Sequence, residues 1–220
     1  MKRISIVIPA YNEERFIEKT VNELKRLYEN KVIVADDGSS DSTFERAEKC
    51  ADITLKHEKN MGKGKTLIDG IRRAKEISEY ALLMDGDYQH LPSDVKNFLD
   101  SDFEKYDIII GQRNMSTSNM PLLRYLTNKT TTLIVSVLAG RKTYDSQSGF
   151  RMVKINSFNK LPIKTFRFQM ESEMLIKAGR LKQRIGRVTV ETVYGDEVSK
   201  INPFKDTARF IKMVMEALWV

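Results

Sequence analysis

The sequence predicts an α/β domain built on a mostly parallel sheet, and three observations carry that prediction. Short apolar runs rich in β-branched residues alternate with longer amphipathic ones. Each apolar run stops at Pro, Asp or Gly, where a strand would leave the core. The 220 residues are 41% hydrophobic with 11 glycines, the composition of a chain that can bury a full core.

Taken in order, residues 4–8, 31–35, 52–55, 80–84 and 107–110 are too short and too apolar for surface helices and read as buried strands. Between them, 13–28, 41–50, 64–78 and 92–102 carry helical spacing, for example Ile17, Val21, Leu24 and Leu27. Strand and helix alternating at this pace implies βαβ units, whose ligands bind beyond the carboxyl ends of the strands. The second half is less regular. It predicts a helix over 121–139, a polar loop over 142–149, a helix over 171–178 and a strand region over 185–193. Asn202-Pro203 then reads as the N-cap and first position of a last helix running to about Trp219. No repeat, low-complexity tract or flexible linker interrupts the chain, so one cooperative domain is expected.

Lys and Arg number 37 against 30 Asp and Glu, a net charge of +7 that suits polyanions: nucleic acid, an anionic membrane face or phosphorylated substrates. The single Cys50 excludes a disulfide framework, and with only His57 and His90 there is little for a His-based metal cage. A reducing, intracellular, cytoplasmic setting is expected. Met1-Lys2-Arg3 precedes only seven strand-like residues and then Glu13 and Glu14, the wrong pattern for a signal peptide. No apolar run reaches the ~18–20 residues of a membrane span, so any attachment should be peripheral or supplied by a partner.

The strand ends hold the chemistry. Asp85-Gly86-Asp87 places two carboxylates two residues apart where a strand leaves the core, a hard-oxygen site for Mg²⁺ or Mn²⁺ shared with substrate phosphates; taken alone, it could equally be a solvated turn. Asp36-Asp37-Gly38 opens into a helix that Ser40 or Asp41 could cap, and one of its acids could accept from a ribose or a base edge. Gly64-Lys65-Thr66 imitates the end of a phosphate loop, but Lys59 stands where the first glycine is required, which counts against a nucleoside triphosphatase. Lys63 and Lys65 at a helix start could still meet phosphate. A nucleic-acid-binding module would explain the charge, but no binding motif is recognisable and the acidic strand ends would repel a phosphate backbone.

Together the segments Ile8-Pro-Ala-Tyr-Asn-Glu13, Asp36-Asp-Gly-Ser-Ser-Asp41, Asn60-Met-Gly-Lys-Gly64, Met84-Asp-Gly-Asp-Tyr-Gln-His90, Gly111-Gln-Arg113, Asp145-Ser-Gln-Ser-Gly-Phe-Arg151, Phe168-Gln-Met-Glu-Ser-Glu173 and Tyr194-Gly-Asp-Glu-Val-Ser-Lys200 closely resemble the family 2 glycosyltransferases of GT-A fold. Within them they resemble the dolichyl (polyprenyl) phosphate sugar synthases. The resemblance implies a Rossmann-like central sheet flanked by helices. It implies a catalytic domain over 1–201, with a nucleotide-binding half to about 113 and an acceptor half beyond, and an amphipathic helix over 202–220. Pro9, Tyr11, Glu13 and Asp36 or Asp37 would line the nucleotide pocket with Lys63 nearby, and Asp85, Asp87 and Gln89 would hold the divalent metal. Arg113, Ser148, Arg151 and Lys200 would meet phosphates of donor or acceptor. The implied reaction is inverting transfer of a hexose from a GDP-mannose or UDP-glucose type of donor to polyprenyl phosphate. A glycan or lipid hydroxyl is the alternative acceptor. A hydroxyl needs a base whereas a phosphate does not, so Glu173 is expected to position substrate, to act as that base, or to be a partly buried structural acid.

Members of this subgroup often carry transmembrane helices after the catalytic domain, and two amphipathic segments here could compensate. Residues 121–139 align Leu122, Leu126, Leu133 and Val137, with Leu123, Ile134 and Leu138 beside them and Arg124, Lys129, Arg141 and Lys142 near. Residues 203–219 align Phe204, Ala208, Ile211, Met215 and Leu218 with Lys205, Arg209 and Lys212. Such basic amphipathic helices suit a headgroup layer, or else pack their apolar faces on the core. A separate membrane-protein partner or a homo-oligomer is also compatible with the sequence.

Overall fold

The computed structural model describes residues 3–114, 122–191 and 203–218. Lys200 and Asn202 lie outside the described residues, as do the side chains of Leu123, Arg124, Phe204 and Leu218.

Seven strands form one sheet: β1 (Ile4–Ala10), β2 (Lys31–Asp36), β3 (Ile53–Lys56), β4 (Tyr80–Leu83), β5 (Ile108–Arg113), β6 (Arg151–Lys154) and β7 (Ile185–Val190), in the spatial order β3-β2-β1-β4-β6-β5-β7. All pairings are parallel except those of β6, which runs antiparallel to both β4 and β5. The helices are α1 (Ile17–Leu27), α2 (Thr43–Cys50), α3 (Lys63–Ala74), α4 (Val95–Leu99), α5 (Leu122–Leu138), α6 (Ile155–Phe158), α7 (Gln169–Arg180) and α8 (Pro203–Leu218).

Successive strand side chains point to opposite faces, and the two faces build two cores. Val7, Ile33, Leu83 and Ile110 face Leu67 and Ile71 of α3, Val135 of α5, Met170 and Met174 of α7 and Met213 of α8. Ile6, Ile8, Val34 and Leu82 face Ile17, Val21 and Leu24 of α1, Ala47 of α2 and Phe98 of α4. Removing each large aliphatic side chain from water contributes about 1.5–3 kcal/mol, which is what fixes the helices on their faces.

The element boundaries differ from expectation where side chains and neighbouring loops compete for backbone donors. Helix α1 begins at Ile17 rather than residue 13, because Asn12 takes φ +52° and the next two amides go to the β2–α2 loop. Glu13 N donates to Thr43 Oγ1 at 2.7 Å, and Glu14 N to Asp41 Oδ2 at 3.3 Å. Asp41 also accepts from Thr43 N at 3.0 Å, while the N-cap position of α2 falls to Ser42, which makes no side-chain cap, not to Ser40 or Asp41. The expected helix over 92–102 divides into a 3₁₀ turn at Pro92–Asp94 and the short α4. Strand β5 extends through Gly111-Gln112-Arg113 because β7 pairs with it along its whole length.

Strand β6 has no counterpart in the sequence reading. Four residues buried mainly between two neighbours give neither an alternation nor a turn signal. Its reversal places Arg151 opposite both Leu83 and Ile110, so the loop before it emerges beside the carboxyl ends of β4 and β5.

Candidate active site

At the rim formed by the ends of β1, β2 and β4, each predicted loop is held by a neighbour. Asp36 closes β2 and pairs in register with Ala10, next to Pro9 and Tyr11. Its Oδ1 accepts the Gly38 and Ser39 amides at 3.1 and 3.0 Å, while its buried Oδ2 has no hydrogen-bond partner. A buried carboxylate oxygen left in this state costs free energy unless a ligand donor reaches it, which is the property a ribose or base subsite needs. Asp37, expected beside it in the pocket, is corrected to an anchor. It accepts from Met61 N and Gly62 N, both at 2.8 Å, and from His57 Nδ1 at 2.8 Å. His57 in turn reaches Asp69 Oδ2 at 3.1 Å, where Lys65 also ends, so the Lys65 ammonium is paired with Asp69.

This anchoring aims Lys63. Gly62 sits at φ +98°, where a Cβ would lie 2.5 Å from Phe166 O, so glycine is required for the loop to pass that close to the segment before α7. Lys63 Nζ then bridges Asp85 Oδ1 at 2.7 Å and Glu171 Oε1 at 2.9 Å. Burial opposes its charge, but Asp85 and Glu171 outweigh burial and hold the ammonium above its ordinary range. Burial likewise opposes ionisation of Asp85, and Lys63 keeps that carboxyl below the usual range. Asp87 behaves in the opposite sense. Burial, then Asp85, then Glu13 push it up to about 7, although Gln89 N donates to its Oδ1 at 3.0 Å. His90 is buried against Phe150 with Nδ1 unpartnered, and burial lowers it to about 4, so it is neutral at pH 7.

Asp85, Asp87 and Gln89 fit a divalent cation: they offer hard oxygen donors, and two crowded carboxylates have a repulsion that such a cation relieves. Lys63 occupies one oxygen of Asp85 and Gly149 packs on the other, where a Cβ would fall 2.4 Å from Oδ2. Asp87 has no ion-pair partner among the described residues and is the better-placed ligand. No group of three or more His, Cys, Asp or Glu able to hold a metal occurs among the described residues.

On the acceptor side three expected residues, Arg151, Ser148 and Glu173, turn inward, and a fourth, Arg113, keeps an open face. Arg151 meets no open space: fully buried, it donates to the carbonyls of Ser148, Glu171 and Ser146 at 2.7, 2.5 and 2.7 Å and ties the 145–149 loop to α7. Burial lowers its basicity, the cost of that position. Ser148 is likewise buried, its Oγ accepting from Phe150 N at 3.3 Å. Glu173 faces away from Lys63. Two residues on from Glu171 is roughly 200° around a helix, and Glu173 accepts there from Lys164 N, Thr165 N and Oγ1, and Lys177 Nζ. Burial opposes its charge, but those donors, Lys177 foremost, hold it below the usual range, the reverse of a poised base. Arg113 makes a bidentate pair with Asp145, Nε to Oδ2 at 2.6 Å and Nη2 to Oδ1 at 2.9 Å, yet it still borders a polar cavity of about 190 Å³ with Gln112, Asn114, Lys129 and Thr189.

Asp145, Glu171 and His57 were given no role in the sequence reading. Asp145 and Glu171 lie inside the recognised motifs, but which acid of the 168–173 segment turns inward depends on how α7 packs.

A mostly parallel sheet with one reversed strand and its candidate site at the carboxyl ends has the architecture of the GT-A fold. Residues 5–165 match the model of Glycosyl transferase family 2, and the chain belongs to that family and is a glycosyltransferase. It is 34% identical over 198 residues to an uncharacterised protein of Methanocaldococcus jannaschii, covering 87% of this chain and 82% of that one. It is 32% identical over 219 residues to the UDP-N-acetylglucosamine–dolichyl-phosphate N-acetylglucosaminyltransferase of Methanococcus voltae, covering 88% and 86%. The fold is shared with glucosyl-3-phosphoglycerate synthase of Mycobacterium tuberculosis, solved with Mn²⁺, UDP-glucose and phosphoglyceric acid: TM-score 0.74, 18% identity, 100% of this chain and 80% of that one.

Proposed function

We propose that this glycosyltransferase moves a hexose from a nucleoside diphosphate sugar to polyprenyl (dolichyl) phosphate, with inversion and with a divalent cation. The carrying observation is the cavity at the ends of β5 and β7, whose lining among the described residues, Gln112, Arg113, Asn114, Lys129 and Thr189, holds two cations and no carboxylate. A phosphate acceptor is already ionised near pH 7 and needs positive charge and no base, whereas a hydroxyl acceptor needs a carboxylate there. Glu173, the acid considered for that task, is bound elsewhere. The dolichyl-phosphate relative from Methanococcus voltae supports the acceptor class. The Mn²⁺ complex of the structural neighbour supports the cation.

In this reading Asp36 takes a donor hydrogen from the nucleoside through its unpartnered oxygen. Asp145 holds the Arg113 guanidinium so that it meets the acceptor phosphate without reorganising. The acceptor oxygen attacks the anomeric carbon opposite the departing diphosphate. A divalent cation at Asp87, with Asp85 and Gln89, would supply charge neutralisation for that leaving group. Lys63 keeps Asp85 ionised and in place.

A thermal-shift screen of nucleotide sugars with Mn²⁺ or Mg²⁺ should find one donor that stabilises the chain, by about 2.7 kcal/mol at 100 times its dissociation constant. Mixed with a short-chain polyprenyl phosphate, that donor should yield a sugar-phosphate-lipid. Transfer only to a hydroxyl acceptor would overturn the reading.

A further inference from the structure

No helix among the described residues is long and apolar enough to cross a membrane, yet α5 presents a large apolar face outward. Its inner side, Asn128, Thr131, Val135 and Leu138, is buried. On the opposite side Leu122, Leu126, Leu133 and Val137 are 61%, 51%, 65% and 71% exposed. At 100° per residue these four fall within one narrow stripe, and the exposed Lys129 falls in the same stripe, three residues after Leu126 and four before Leu133. Helix α8, which packs beside α5 and α7, repeats the arrangement: Met213 is buried and Phe210 and Ala217 lie against the core, while Ile211 and Met215 are more than half exposed. Exposed apolar patches of this kind, rimmed by polar groups, mark interaction surfaces.

We propose that the outward stripe of α5 seats the protein on an anionic bilayer, with Lys129 at the level of the lipid headgroups. Two observations choose this occupant. Helix α5 contains no Asp or Glu in its 17 residues, and the exposed Lys129 within the stripe matches an anionic surface. Lys129 also lines the cavity that Arg113 borders, so the stripe and the acceptor cavity meet in one side chain. An acceptor whose hydrocarbon tail stays in the bilayer presents its phosphate at the headgroup level, where the stripe would hold that cavity. The second observation rests on the polyprenyl phosphate reading; the first does not.

Co-sedimentation with phosphatidylglycerol–phosphatidylcholine vesicles that contain no polyprenyl phosphate tests the docking by itself. The unmodified chain is expected to partition onto these vesicles, and Leu126→Glu/Leu133→Glu to partition at least about tenfold more weakly with an unchanged melting temperature. Leu133→Ser/Val137→Ser gives the same comparison if the first variant melts early. Equal partitioning of a folded variant overturns the proposal, as does a wild-type dimer in solution that the substitutions dissolve, because a second copy would then cover the stripe. The two readings fail separately. A chain that docks through the stripe but transfers no sugar to a soluble short-chain prenyl phosphate keeps the docking and loses the acceptor. A chain that transfers to the soluble acceptor but ignores vesicles loses the docking alone.

Discussion

On the donor side of the rim, Asp36 keeps a buried oxygen without a partner and Asp87 is held near neutrality by burial and by Asp85. On the acceptor side, Arg151 and Glu173 have their polar atoms taken up inside the protein, and Arg113 is clamped by Asp145. The same kinds of residue thus have opposite fates. Asp36 and Asp87 are left at a cost within the fold, whereas Arg151, Glu173 and Arg113 are satisfied by it.

The comparison breaks most severely at Asp87. Asp87→Ala should lower sugar transfer by about a thousandfold while the chain still folds, and excess EDTA should do the same to the unmodified enzyme. Full turnover in either case would remove Asp87 from the reaction. Arg151→Met should act on folding instead, by about 3–5 kcal/mol in urea denaturation, because three buried carbonyls lose their donor. A variant that melts normally but binds substrate poorly would return Arg151 to the pocket.

Two smaller effects sharpen the contrast through pH. The carboxyl of Glu173 lies below its unfolded value of 4.5, so its stabilising contribution is present above that value and is lost as pH falls. Glu173→Gln should therefore lower stability by about 1–2 kcal/mol at pH 7 and converge on wild type in acid, with turnover of the folded fraction retained. The carboxyl of Asp87 is raised from 3.8 to about 7, so its contribution is present below pH 4 and is lost as pH rises through 7. Asp87→Asn should then melt several degrees above wild type at pH 8 without divalent cation, and together with it at pH 4. Equal melting temperatures at pH 8 would mean that Asp87 carries no such strain.

Much of this was legible in the chain because strands buried on both faces write themselves as apolar runs, and a parallel sheet puts its binding loops at their ends. The positions of Asp85, Asp87 and Lys63 beside one another beyond the strand ends were recoverable on that ground. The rest depended on facing. Asp36 and Asp37 are adjacent in sequence, and only the path of the 60–62 loop, which claims Asp37, decides which one keeps a free oxygen. Glu171 and Glu173 are separated by half a helical turn, and the packing of α7 sends one to Lys63 and the other to Thr165. Strand β6 was invisible because it is short and its partners are distant in sequence.

That reversed strand has a mechanical consequence. Its hydrogen bonds to β4 on one side and β5 on the other lock the donor and acceptor rims into one sheet, with no linker between them about which they could hinge. Any relative movement of the two rims must therefore come from the loops, while the separation of Leu83 and Arg113 is set by the sheet. On the function proposed above, a donor and an acceptor would react only if together they span that set width.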